Sequence, residues 1–464
     1  MLLSLIPAFD INIAAGFDSV VVLACAILLY KHARLTSIHP GSMYLIFHLM
    51  FFTARLYSVA AGSPTLFSNY PGATAVSPDE IAWAGVWADV GLISITIGLI
   101  ICAQRNPPEP AYYNRATTRT TALLSRNVIQ WVSFVALPIG VGSLLVGGAI
   151  PNAGGANVDF GQWSTSSWLM VTQFWPVLIL LALTYVFGFR AKFVIPLSLL
   201  LLLMSIQGFN RFRVLLPIIF LLITWQTRAG SRWPRKWMVA ALLCLTILFF
   251  PMKQLGWMVQ GGHSLSDTVD VVSDSFSEVI HGTSPDQQFL DMFACTIWLV
   301  DAHDHYFYGS TIFPLIFLPV PRQLWPEKPS LVQYLYEIRN RERPMYWAGM
   351  TPTLLGESYA NFGLAGIAVI PFLVGYGLGK VYFLAMHRPY YSVFRFTYAI
   401  LGCCLLEIFR DGFLSVIVFP VVNMMPLVAI ALLSYMSFRR RQKERSMFAA
   451  SSLRLRRVAA RSSA

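Results

Sequence analysis

The sequence predicts an all-α polytopic integral membrane protein with about 11 transmembrane helices, in a range of about 10 to 12. Three observations predict it. Of the 464 residues, 56% are hydrophobic and only 12% charged, with a mean hydropathy of +0.60, whereas soluble proteins carry about 25% charged residues. Apolar runs recur that match the roughly 20 residues a bilayer core requires, and backbone groups in lipid must be satisfied within the segment, so these runs form helices. Basic residues also gather on alternate connections between the runs.

In chain order the spans fall near 11–30, 41–60, 81–103, 127–149, 166–188, 193–209, 211–227, 238–257, 362–385, 393–413 and 414–436. The pair flanking Asn210 is short, and each member contains a proline, Pro196 or Pro217. The opening MLLSLIPAFD lacks the basic region of a cleavable signal peptide. There is no internal repeat and no low-complexity linker, so residues 1–464 read as a single membrane domain. Within it lie a large loop at 258–361 and a basic tail at 437–464.

Lys31 and Arg34, then Arg105, Arg115, Arg119 and Arg126, then Arg190 and Lys192, then Arg228, Arg232, Arg235 and Lys236, then Arg388 and Arg395, and finally FRRRQKER, fall on alternate connections. The positive-inside rule puts these loops and the C-terminus in the cytoplasm and the N-terminus outside. The tail through RLRRVAAR then lies beside anionic lipid headgroups, which explains its charge without nucleic acid. Of the cysteines, Cys25, Cys102, Cys244, Cys403 and Cys404 sit in spans, and Cys295 alone lies in the large loop, where it has no partner for a disulfide.

The 258–361 loop is extracytoplasmic in this topology and too long to be structureless. In SLSDTVDVVSDSFSEVIHG the apolar residues Leu265, Val269, Val272, Phe276 and Val279 recur at helical spacing, with Ser264 and Asp267 as a capping box and Gly282 as a stop. In DQQFLDMFACTIWLV, Phe289, Phe293, Ile297 and Val300 share one face, which predicts a helix lying against the membrane surface or the top of the bundle.

Cations also collect on the outer side, against the topology bias: Arg55, Arg211, Arg213, Lys253, Arg322, Lys328, Arg339, Arg341, Arg343 and Arg410. An arginine at mid-bilayer costs roughly 2.5–3.5 kcal/mol on insertion scales, so cations near membrane depth imply an aqueous cavity or anionic partners. Glu327, Glu337, Glu342 and Glu357 offer internal ion pairing. Phosphate is the alternative, because the guanidinium fork matches its oxygens. Arg211 begins a span at a helix N-terminus, where an anion is favoured, while Arg213 points elsewhere on the helix. Arg410 has Asp411 beside it and Glu407 one turn earlier, which predicts a local ion pair.

The run YGSTIFPLIFLPVPRQLWPEKP, then MTPTLLGESYANFG and the glycine-rich GIAVIPFLVGYGLGK, resemble the oligosaccharide repeat unit polymerases, the Wzy-type O-antigen polymerase group. The outer Asn210 and Arg211 are similar to the Gly-Ser-Arg or Gly-Asn-Arg element of that group. Over residues 1–190 the likeness rests on topology, with HPGSMYLIFHLMFFTARLY a faint echo.

The resemblance implies a glycosyltransferase of the bacterial inner (plasma) membrane that uses no nucleotide sugar, cofactor or obligatory metal. It would transfer a growing glycan from its polyprenyl pyrophosphate carrier, at the periplasmic face, to a single lipid-linked repeat unit. The product would be O-antigen, capsule or exopolysaccharide. Donor and acceptor lipids and the surrounding membrane are the expected partners, with room for a chain-length regulator.

Such a reaction needs charge stabilisation at the leaving pyrophosphate and a base or orienting group for the acceptor hydroxyl. Arg211, Arg322, Lys328, Arg339 and Arg410 are the candidates for the phosphates, with Arg341 and Arg343 behind them, and Glu357 for the base. The alternative role for Glu357 is to neutralise one of the arginines. Tyr359 and Trp325 suit sugar stacking or an interfacial position. In DAHDH, His303 and His305 beside Asp301 and Asp304 offer acid/base groups; the spacing is no metal signature. The alternatives are an O-antigen ligase-like glycosyltransferase, a polysaccharide flippase or exporter, and a membrane scaffold. An exporter should carry charges through mid-span positions, where Asp18 and Asp89 are the main acids.

Overall fold

The structure is a computed structural model that describes residues 9–66, 75–106, 121–148, 171–206, 212–230, 233–236, 288–303, 306–312 and 352–462, together with positions 269–270, 273–274, 277, 317 and 325. Among these residues the chain is all helical, without strands; a lone bridge joins Leu123 and Ser392.

Helix α1 (Ile11–His32) begins at Asp10, whose carboxylate accepts the Asn12 amide at 2.7 Å. In α2 (Pro40–Ala60) a π turn occupies Leu49–Thr53. A capping box starts α3 (Pro78–Arg105): Ser77 accepts the Glu80 amide and Glu80 accepts the Ser77 amide, at 3.2 and 2.7 Å. Then follow α4 (Arg126–Gly148), α5 (Trp175–Phe187), α6 (Ala191–Ile206), α7 (Phe212–Ala229), α8 (Phe289–His303), α9 (Thr353–Met386) and α10 (Val393–Asp411). The last elements are α11 (Phe413–Ile417), continued by a π turn at Val418–Asn423, and α12 (Met425–Ser462).

Each sequence-predicted span that falls on described residues coincides with one of these helices, or with the α11–α12 pair, while 238–257 lies outside them. Among the described residues five helices, α1, α2, α3, α4 and α9, are long and apolar enough to cross a membrane, or six if the pair Ser415–Asn423 and Met425–Phe448, bent by 77°, is one span. Two further described helices fall outside that set for physical reasons. With 13 residues, α5 is about 20 Å long against a hydrocarbon core of about 30 Å. Helix α10 carries Arg395, Glu407, Arg410 and Asp411. The outward faces of α1, α4 and α6 are apolar, with Val20, Leu23, Trp131, Phe134, Leu145 and Leu199 exposed. In water such a surface would aggregate; lipid solvates it.

The centre of the bundle is the α3–α9 pair. A Cβ on Gly98 would lie 2.3 Å from the Phe372 carbonyl oxygen, and one on Gly375 would lie 2.3 Å from that of Ile95. Only hydrogen at these positions lets the two backbones meet, the small-residue packing that lipid-embedded helices use in place of a hydrophobic driving force. One end of the bundle, here the upper end, gathers the starts of α1 and α3 through Phe9 and Trp83, and the end of α2 with the start of α8 through Arg55 and Asp291. The lower end gathers the α1–α2 turn with α9 and α10, through Thr36 and Tyr382 at 3.1 Å and through Tyr398 donating to the Ile38 carbonyl.

Two elements refine their sequence reading. Helix α8 does not lie on a surface. Phe289, Phe293, Ile297 and Val300 are buried as the periodicity predicts, but so are Leu290, Asp291, Met292, Ala294, Cys295, Thr296 and Leu299 on the other sides, because α8 packs between α3 and α9. Helix α9 breaks at Phe362 (φ −141°, ψ 15°) and Gly363 (φ 60°, ψ −146°). A Cβ on Gly366 would meet the Ser358 carbonyl oxygen at 2.0 Å. In an unbroken helix those residues stand about 12 Å apart along the axis, so residues 353–361 form a short arm folded back on the longer arm. The Ser264–Asp267 capping box lies outside the described residues.

Candidate functional site

The break in α9 creates the site. Breaking the helix strips the carbonyls of Ala360 and Asn361 of their intrahelical partners, and a buried end needs replacements. They come from the segment 306–312: the Phe307 amide donates to Ala360 at 2.9 Å, the Tyr308 amide to Asn361 at 3.1 Å, and the Gly309 amide to the Asn361 side chain at 2.8 Å. This clamp carries Thr311 down to Glu357.

Glu357 is buried, and both carboxylate oxygens are held. The Thr311 hydroxyl donates to Oε1 at 2.8 Å and the Phe413 amide to Oε2 at 2.7 Å. Asn361 Nδ2 completes the set by donating to Thr311 Oγ1 at 2.7 Å and to the Glu357 carbonyl at 2.8 Å. The Phe413 amide is available because α10 ends at Gly412, whose φ of +81° suits glycine and whose Cβ, if present, would lie 2.3 Å from Glu357 Oε2. Three chain segments, 306–312, the short arm of α9 and the α10–α11 break, thus converge on one carboxylate. Among the described residues Glu357 makes no ion pair, so the alternative that it neutralises an arginine finds no partner there.

Arg410 stands three residues before Phe413 and makes the ion pair its spacing predicts. Its guanidinium donates to Asp411 Oδ2 at 3.0 Å and approaches Glu407 Oε2 at 3.0 Å. Two carboxylates on one guanidinium compete with a phosphate for its donors. Arg55 is spoken for as well: buried completely, it donates to both oxygens of Asp291 at 2.7 and 2.8 Å and to the Pro64 carbonyl at 2.9 Å. Arg213 lies in α7, half-buried. Arg211, Lys253, Arg322, Lys328, Arg339, Arg341 and Arg343, with the acids Glu327, Glu337 and Glu342, lie outside the described residues. Of the sequence-derived site residues, the structure therefore places Glu357 and Arg410, and it brings their segments together.

Tyr359 is not open to a sugar ring: it is 2% exposed and its hydroxyl donates to Asp301 at 2.6 Å. Trp325 is 37% exposed and packs edge-on to Phe317. Sequence reasoning missed Thr311 and Asn361. Asn361 stands in the quoted GESYANFG, one turn after Glu357, and that spacing was the available signal. Thr311 reaches Glu357 from 46 residues away, and no local pattern marks it.

The arrangement can orient a hydroxyl at a carboxylate and accept its proton; its described residues form no grouping of metal-ligand side chains. Among the described residues the set with converging donor atoms is Asp18, His48 and Asp89, elsewhere in the bundle. A cavity of about 410 Å³ opens at the lower end, lined by His32, Arg34, Gln104, Asn106, Tyr382 and His387 among others. It is remote from Glu357 and takes no part in this site. A scan against protein-family models finds no match, and searches of curated proteins and of solved structures find none either.

Proposed function

We propose that this protein is a membrane glycan polymerase, a glycosyltransferase that joins polyprenyl-pyrophosphate-linked oligosaccharide repeat units at the periplasmic face of a bacterial inner membrane. In this reading the chain has about eleven spans, with the N-terminus outside and the C-terminus in the cytoplasm. The upper end of the bundle then faces the periplasm. The observation that supports the reading is the buried, doubly oriented carboxylate of Glu357 at the junction of the folded-back α9 arm and the α10–α11 break.

The chemistry asked of the site is a single displacement. An acceptor hydroxyl attacks the anomeric carbon at the reducing end of the donor glycan, and the bond from that carbon to the carrier phosphate oxygen breaks. The hydroxyl proton passes to Glu357, with the acceptor taking the position at Oε1 that the Thr311 hydroxyl holds. Polyprenyl pyrophosphate leaves, its charge met by Arg211, Arg322, Lys328 and Arg339, with Arg341 and Arg343 behind them. Arg410, already paired with two carboxylates, contributes less to this pool.

A ligase that passes finished glycan to a lipid A core would share the donor chemistry. A second reading, a cation-coupled flippase or exporter, is favoured by one observation, the ionisable cluster Asp18, His48 and Asp89 inside the bundle. Glycan length on gels separates the three. In a strain deleted for this gene and complemented with wild type, Glu357→Gln or Arg211→Ala, the polymerase reading predicts a ladder with wild type and a single capped repeat unit with either variant. Loss of even the single unit in the deletion strain would favour ligase or exporter, and an unchanged ladder in the variants would remove those residues from the mechanism.

A further inference from the structure

We propose that Asp18, His48 and Asp89 form a binding site for one divalent transition-metal ion of the zinc type, set between α1, α2 and α3. The three side chains come from three successive helices and are buried, and one donor atom from each lies within 4.8 Å of the other two. His48 Nε2 is 2.7 Å from Asp18 Oδ1 and 3.6 Å from Asp89 Oδ1. Ligands about 2.0 Å from a tetrahedral zinc stand about 3.3 Å from one another, between those two distances.

The second observation is what the cluster leaves unmet. Among the described residues, both oxygens of Asp89, the second oxygen of Asp18 and Nδ1 of His48 are buried without a hydrogen-bond partner, and so is the hydroxyl of Tyr44, whose ring lies 6.2 Å from that of His48. Asp18 Oδ1 has the His48 ring nitrogen as its hydrogen-bond partner, but Asp89 has none among the described residues, and a carboxylate inside a helix bundle is not left ionised and unpaired. No arginine or lysine forms an ion pair with either aspartate among the described residues. A divalent ion on two carboxylates and a neutral imidazole sums to zero charge, the condition that a site in an apolar surround has to meet.

The donor set selects the ion. Imidazole suits zinc and its neighbours, whereas magnesium and calcium ask for oxygen alone and for more ligands. Three protein ligands leave a fourth position, as in zinc sites that keep a water. The π turn at Leu49–Thr53 starts at the residue after His48, a placement such turns favour at functional positions.

The test is metal content of the detergent-purified full-length protein by elemental analysis, after loading with zinc chloride and gel filtration, for wild type, His48→Gln and Asp89→Asn. The proposal predicts about one zinc per chain in wild type and a loss of more than about tenfold in each variant. Cobalt(II) loading of wild type should add visible absorption bands of a low-coordinate ion, absent from the variants. Gel filtration of each variant, and Cys25→Ser as a further control that keeps its zinc, separates loss of the site from loss of the fold. Zinc below a tenth of an equivalent in folded wild type would overturn the proposal, leaving protons as the neutralising cation, and so would equal zinc in wild type and both variants.

Discussion

Arg55 shows what a single residue hides from a linear reading. Near the end of a predicted span it reads as a cation reaching for water or phosphate, but its guanidinium closes on Asp291, 236 residues later, where the Leu66 amide also donates at 3.0 Å. Removing one partner of a buried pair leaves the other charge stranded, so Arg55→Ala or Asp291→Ala should cost about 3–5 kcal/mol. The paired replacement Arg55→Met with Asp291→Leu should recover much of that loss, as read by thermal unfolding in detergent. Equal losses in the single and paired variants would mean that packing, not charge, sets the cost. Glu357 was legible because GESYANFG is a polar run at the mouth of an apolar segment. Its role as the point where three segments meet was not, because Thr311 and Phe413 approach it through the tertiary fold alone. The Asp18–His48–Asp89 cluster escaped for the same reason: its acids were visible as mid-span charges, but metal-ligand spacing is a local pattern and these donors come from three helices.

At the scale of elements, helix positions were legible almost throughout, since an apolar run in lipid has one conformation open to it. Breaks within helices were not. The predicted span 362–385 starts where α9 breaks, but that residues 353–361 form a helical arm folded back on it shows only in the backbone, where Gly363 has a φ of 60°. The α3–α9 contact predicts a sharp size limit: Gly98→Val should destabilise by at least the upper end of about 1–3 kcal/mol, because the atom it meets is backbone oxygen and cannot swing aside. The start of α2 predicts a pH dependence. His39 caps it by accepting the Gly41 amide at 3.1 Å, and burial pushes its imidazole down from 6.5 to about 3. The unfolded chain therefore binds the extra proton between those values. The cap contributes in full above pH 6.5 and is lost as pH falls below it, by up to about 1.4 kcal/mol per unit. Unfolding midpoints between pH 7.5 and 5 should fall less steeply in His39→Asn, which keeps a capping acceptor. Parallel slopes in the two proteins would remove His39 as the cause.

The whole molecule is a helical bundle whose outer faces are apolar and whose two ends differ in chemistry. The upper end holds Glu357, the Arg410 cluster and the Arg55–Asp291 pair, and the lower end holds the α1–α2 turn and the cavity beside His387. The orientation proposed for these ends is open to direct labelling, since the described cysteines are all buried. A membrane-impermeant maleimide applied to intact spheroplasts should modify Ala61→Cys but not Ser446→Cys, measured against the wild-type background; the reverse pattern would invert the topology and move Glu357 to the cytoplasmic side. The most direct measurement is made on the purified protein in proteoliposomes, supplied only with a polyprenyl-pyrophosphate-linked repeat unit, with products resolved by mass spectrometry. The account predicts lipid-linked dimers and longer chains, equimolar release of polyprenyl pyrophosphate for each bond formed, and none of this in Glu357→Gln. Intact starting material after full incubation with folded wild-type protein, or transfer seen only when a lipid A core is added, would contradict it.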